Sequence, residues 1–179
     1  MPSVDQMIDD IVRREGGFVD HPLDRGGATK FGITQKTLSR YLGRAATVDD
    51  VRHLSRDLAH QIYEQSYFLG PGMQRLPELI QPFVFDSAVN HGPRRAIKFV
   101  QNVCNDAGFG PIDVDGAVGP QTVAAARRAA DAMGQVFLEA LVEERRNFYH
   151  LIVENDPSQA VFLQGWLNRV AEFEPEVPA

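Results

Sequence analysis

The chain has 179 residues, 44% of them apolar, and a formal net charge of −6. That length suits one compact domain, or one domain with a closely packed second half. The acidic balance excludes a sequence-wide basic footprint, so nucleic acid is not the expected partner.

The first predicted element is a helix. Val4, Met7, Ile8, Ile11 and Val12 recur at helical spacing and share one face. Glu15 falls four residues after Ile11, near that face, and Gly16-Gly17 then breaks the helix. A carboxyl at a helix C-terminus meets the negative end of the dipole, and partial burial adds a desolvation cost. Both raise its pKa, which is what a general acid near neutral pH needs.

From Glu15 to Thr34 the chain reads EGGFVDHPLDRGGATKFGIT. A polar, glycine-rich stretch this long belongs on a surface loop, and its content marks it as functional. Phe18, Val19, Leu23, Phe31 and Ile33 are its apolar anchors. Asp20 and Asp24 each offer a second carboxylate, and two carboxyls across a cleft are the minimal equipment for glycoside hydrolysis. Gly26-Gly27 is the expected tight turn of a small hairpin, and Phe31 to Thr34 has strand-like content. Thr29 and Thr34 supply hydroxyls that could orient a water, and Thr34 can also cap the next helix.

This string resembles the signature of glycoside hydrolase family 108, within the phage-type lysozyme superfamily. The resemblance implies an N-acetylmuramidase with Glu15 as catalytic acid. Asp24 keeps the superfamily's offset from the glutamate, whereas the threonine falls one place early, at Thr29. It also implies a substrate, bacterial peptidoglycan, and no cofactor. The wall is anionic too, so an acidic enzyme gains no general steering toward it.

Further along, Thr34 caps a helix that ends at Gly43, Thr47 and Asp50 form a box-like start, and Ser55 begins another helix. Leu69-Gly70-Pro71-Gly72 is a break. The segment from Pro77 is apolar on several sides and reads as the central buried helix. Within it Asp86 and Asn90 share a face. They are either a structural hydrogen-bond pair or a sugar-binding pair lining the cleft opposite Glu15. Pro93 starts a helix stopped by Gly108, with Cys104 in its apolar pattern as a packing residue. Cys104 is the single cysteine, so the fold needs no internal disulfide.

Asp113-Val114-Asp115-Gly116, followed by Val118-Gly119-Pro120, is a tight turn that lacks the third ligand position and distal Glu of a calcium loop. It resembles the turn of peptidoglycan-binding domains, over roughly Pro93 to Phe173. The bland alternative is that this half completes the helical core. A long helix runs from Gln135 to Glu154, and after Pro157 a last helix is expected to be capped by Ser158. Its Trp166 is either a core residue or a sugar-stacking platform. The histidines His21, His53, His60, His91 and His150 show no metal-ligand spacing, so no metal is expected.

The expectation is therefore a mainly α, lysozyme-like helical fold with one small β-hairpin beside the active-site cleft. Residues 1–92 form the catalytic part and 93–179 a helical part packed on it as one compact unit. Glu15, Asp24 and Thr29 are the expected catalytic residues, and Asp20, Thr34, Asp86 and Asn90 the substrate-binding ones. A lytic transglycosylase and a non-catalytic wall-binding or secretion-helper protein are the rival readings. The sequence shows no signal peptide and no transmembrane segment. A monomer made in the cytoplasm is expected, the host's if the source is a phage, reaching the wall through a holin or another route.

Overall fold

The computed structural model describes residues 3–14, 17–20 and 27–174, the side chain of Arg14 excepted. They divide between Gly70 and Pro71 into two compact units.

In the first unit, α1 (Val4–Arg14) starts at a reciprocal cap. The Gln6 backbone N–H donates to Ser3 Oγ, and the Ser3 N–H donates to Gln6 Oε1. Met7, Ile8 and Val12 form its buried stripe. Next comes a two-stranded antiparallel hairpin, β1 (Thr29–Lys30) and β2 (Ile33–Thr34). Helices α2 (Gln35–Leu42), α3 (Val48–Arg52) and α4 (Arg56–Tyr63) follow, with α4 packed on α1. Thr34, Thr47 and Ser55 cap them, each accepting the backbone N–H three residues on. Arg44 holds Asp50 with two hydrogen bonds, and this grip with the Thr47 cap holds the Asp50 carboxyl far below the usual carboxylate range. Beyond Tyr63 the helix loosens into a π-helical segment, Glu64–Leu69, before Gly70.

In the second unit, two 3-10 turns (Met73–Arg75 and Glu78–Ile80) lead into α5 (Gln81–His91). Every residue from Pro82 to Ala88 is buried, so α5 is covered on all sides, as its lack of a polar face requires. Packed on it is α6 (Pro93–Asp106), while α8 (Gln135–Asn155) and α9 (Ala160–Ala171) reach it through Arg145 and Arg169, and α7 (Pro120–Met133) packs against α6 and α8. Ile97, Val100 and Cys104 of α6 face inward, and burial pushes the Cys104 thiol up to about 11. Ser158 does not cap α9. It lies in a 3-10 turn, Pro157–Gln159, whose first backbone N–H groups are served by Asp156, and α9 grows straight out of that turn.

Among the described residues the architecture is mainly α with one small hairpin, consistent with a lysozyme-like fold. Among the described residues no helix is long and apolar enough to cross a membrane.

Candidate active site

The signature stretch is built around Thr29. On one side its backbone exchanges two 2.8 Å hydrogen bonds with Val19. On the other it pairs with Thr34 across the hairpin. Glu15 follows the last residue of α1. Glu15 and Asp24 themselves lie outside the described residues. Asp20, beside the paired Val19, is exposed. As cross-strand partners, Thr29 and Thr34 put their side chains on one face of the hairpin. Thr34 Oγ1 accepts the Thr37 N–H at 3.1 Å and donates to Thr37 Oγ1, so this hydroxyl serves α2 first.

The turn between β1 and β2 lies at Phe31-Gly32; the turn expected at Gly26-Gly27 begins outside the described residues. Both turn residues have positive φ, +52° and +74°, the requirement of the two-residue turn that matches strand twist. Phe31 adopts this left-handed conformation at a steric cost. Two contacts hold it there. Its ring is buried, and the hydroxyl of buried Tyr63, the last residue of α4, donates to its carbonyl at 2.9 Å. Lys30 anchors the neighbouring strand, its Nζ donating to the Arg52 carbonyl at the end of α3 at 2.7 Å. Arg52 in turn lies over the Phe18 ring, 4.9 Å from its centre. The hairpin is therefore tied to α3 and α4, and neither Tyr63 nor Lys30 was singled out by motif.

Between α1 and α4 runs a groove of about 500 Å³ lined by Asp9, Val12, Arg13, Arg56, Asp57, His60 and Gln61. His60 Nε2 approaches Asp9 Oδ1 to 3.7 Å across it. The groove follows the helix whose end leads into Glu15.

In the second unit, Asp86 is buried and its carboxylate is fully engaged. Oδ2 accepts from Arg145 Nη1 at 2.7 Å, and Oδ1 accepts from Nε and Nη2 of Arg169. Asn90 donates to the Asp86 carbonyl and to Oδ2. Of the two, exposed Asn90 is the one that can meet a sugar. Arg145 is wholly buried and also reaches Ser87 Oγ and the Tyr149 hydroxyl, while its Nη2 has no partner. The sequence did carry one sign of this: a lone arginine on the apolar stripe of Leu138, Leu141, Val142 and Tyr149 in α8. Beside the cluster stands His91, 3.2 Å from the Tyr149 hydroxyl. Burial, and then the charge of Arg145, push its pKa down to about 4.

The turn at Asp115-Gly116 is filled by protein. Gln101 Nε2 donates to Asp115 Oδ1, the Ala117 carbonyl and Thr122 Oγ1, and its Oε1 accepts the Gly116 N–H. A Cβ at Gly116 would lie 2.6 Å from the Arg94 carbonyl oxygen, so only glycine fits. Among the described residues no group of three or more His, Cys, Asp or Glu is placed to hold a metal.

Two family models match the chain: Glycosyl hydrolase 108 over residues 8–92, and Predicted Peptidoglycan domain over residues 95–171. Among solved structures, SagA of Brucella abortus matches with a TM-score of 0.75 at 32% sequence identity, over 93% of this chain and 88% of that one. No curated protein matches significantly.

Proposed function

The chain belongs to the glycosyl hydrolase 108 family, and from that membership we propose that it is an N-acetylmuramidase, hydrolysing the β-1,4 bond between N-acetylmuramic acid and N-acetylglucosamine in bacterial peptidoglycan. Glu15 protonates the leaving oxygen. Asp24 activates water or stabilises the oxocarbenium-like transition state from the opposite side. Thr29 orients that water, and Asp20, Thr34 and Asn90 contribute to sugar binding. Asp86 acts through Asn90, whose amide it receives.

The observation that carries this reading is the hairpin. A turn with positive φ at Phe31 and Gly32, held by Tyr63 and Lys30, supports the strand pair that carries Thr29 and Thr34. Strain of this kind collects where geometry must be held for chemistry. The match of residues 95–171 to a peptidoglycan model supports the same substrate.

The test is mass spectrometry of the products from purified peptidoglycan. Hydrolysis leaves N-acetylmuramic acid ends that borohydride reduces. A transglycosylase leaves 1,6-anhydro ends, lighter by one water and not reducible. Reducible N-acetylglucosamine ends mean the alternate bond. Wall binding with no products means a non-catalytic role.

A further inference from the structure

The strand that carries Thr29 has a neighbour on each side, and the two are not equally secured. Toward Thr34 the pairing continues through Lys30 and Ile33. Ile33 is buried, and burial of one face specifies a register. Toward Val19 the pairing is a single isolated bridge with its two hydrogen bonds. Val19 is 53% exposed, and no residue from Gly17 to Asp20 is buried. Burial therefore does not choose the register on this side. A slip of one residue would turn the side chains of that segment to the other face of the ribbon.

Continuing the Val19–Thr29 register by one residue sets Phe18 opposite Lys30. Both side chains meet the same residue of α3. The Arg52 guanidinium lies over the Phe18 ring, 4.9 Å from its centre. The Arg52 carbonyl, at the end of the helix, accepts from Lys30 Nζ at 2.7 Å. A lysine suits such an end, where carbonyls lack an intrahelical partner. Arg52 is itself well mounted. Asp49, one turn back, holds its guanidinium. The Thr47–Asp50 box and the Arg44 grip fix the start of α3, and Val51 is buried.

We infer that Arg52 is a positioning residue: it grips Phe18 with its side chain and Lys30 with its carbonyl, and so fixes the register of Val19 on Thr29. A slipped segment would present Val19 to the guanidinium, which offers no ring. Val19 and Thr29, as cross-strand partners, share the face opposite Phe18 and Lys30, so the latch leaves the Thr29 hydroxyl unobstructed. The effect on catalysis rests on the role proposed for Thr29, whereas the register lock does not. The Arg52 side chain is 51% exposed, so a direct grip on an anionic part of the substrate is the competing role. That role is lost as binding, not as turnover.

Arg52→Ala removes the grip on Phe18 and keeps the carbonyl that serves Lys30. Arg52→Lys keeps a cation, and Arg52→Gln keeps bulk without one. Amide hydrogen exchange is followed by NMR on the full chain. The Val19 and Thr29 amides should exchange about two- to fivefold faster in Arg52→Ala and Arg52→Gln, the ratio an exposed cation–π contact supports. Arg52→Lys should match the parent, and the capped Thr37 amide on α2 should not change in any variant. On purified peptidoglycan kcat of Arg52→Ala should fall roughly tenfold with KM within about twofold, since small misplacements of a reacting group are costly. Arg52→Lys should recover most of that rate. Bridge amides that keep the parent's rate in Arg52→Ala overturn the latch. So does a raised KM with unchanged kcat, which marks a substrate contact, and so does Arg52→Gln performing as well as Arg52→Lys. If the wild type releases reducing ends and Arg52→Ala does so at full rate, the positioning role fails and the muramidase stands. If the wild type releases none while the bridge amides quicken in Arg52→Ala, the muramidase fails and the register lock stands.

Discussion

At the scale of residues the proposal separates the acid from the two candidate second carboxylates. Glu15→Gln is expected to abolish wall lysis, a loss of roughly 10²–10⁴-fold or more, with the circular dichroism spectrum unchanged. Substantial muralytic activity in that variant would remove Glu15 from the mechanism. Asp24→Asn is expected to cut turnover by about 10²-fold or more with wall binding kept, while Asp20→Asn, on an exposed side chain, stays near wild type. The reverse pattern would hand the second role to Asp20. These roles are proposed from residue types, spacing and the family signature. The arginines around Asp86 had no such signal. Arg145 and Arg169 lie 59 and 83 residues from it, and no local pattern foretells which distant cation closes on a buried carboxylate.

At the scale of elements, the starts of α2, α3 and α4 were easy to read, whereas the start of α9 and the turn of the hairpin were not. Thr34, Thr47 and Ser55 cap α2, α3 and α4 as their sequence contexts indicate, because a cap is decided within four residues. The Ser3–Gln6 box obeys the same rule and went unread. The turn at Phe31-Gly32 was not legible because Gly-Gly outranks Phe-Gly on local preference. What stabilises Phe31 with positive φ is tertiary: a buried ring and the Tyr63 hydroxyl. Tyr63→Phe removes that hydrogen bond and leaves a buried carbonyl short of a donor. It is expected to cost about 1–2 kcal/mol in urea denaturation and to lower kcat more than it raises KM. An unchanged kcat would show that the clamp serves stability alone.

At the scale of the whole molecule, α5 is the element that forbids dissection at its end. It lies in the unit that begins at Pro71, packed against α6, and its residues from Pro82 to Ala88 are all buried. Cutting the chain after Gly92 strips away α6 to α9. The exposed surface should exceed the typical margin of roughly 5–15 kcal/mol, so fragment 1–92 is expected to give no cooperative melt. A soluble fragment with a sharp transition would show that the first part folds alone. Centrality of this kind was legible, since a helix with apolar residues on every side has nowhere else to go.

The displaced histidine beside the arginine cluster makes the fold sensitive to acid. His91 is neutral in the folded chain until about pH 4, whereas in an unfolded chain it takes a proton near pH 6.5. Between those values the unfolded state binds more protons, so stability is full above about pH 6.5 and falls as the medium acidifies toward 4. Because solvent reaches part of the ring, the loss is on the order of 1–2 kcal/mol. Urea midpoints taken from pH 7.5 to 4.5 should drop along this range in the parent chain. In His91→Gln the part of the slope that belongs to this residue should vanish, and an unaltered slope would mean that other groups govern the acid response. A wall-cutting protein built this way would be sturdiest in neutral surroundings and would lose its margin in an acidified one.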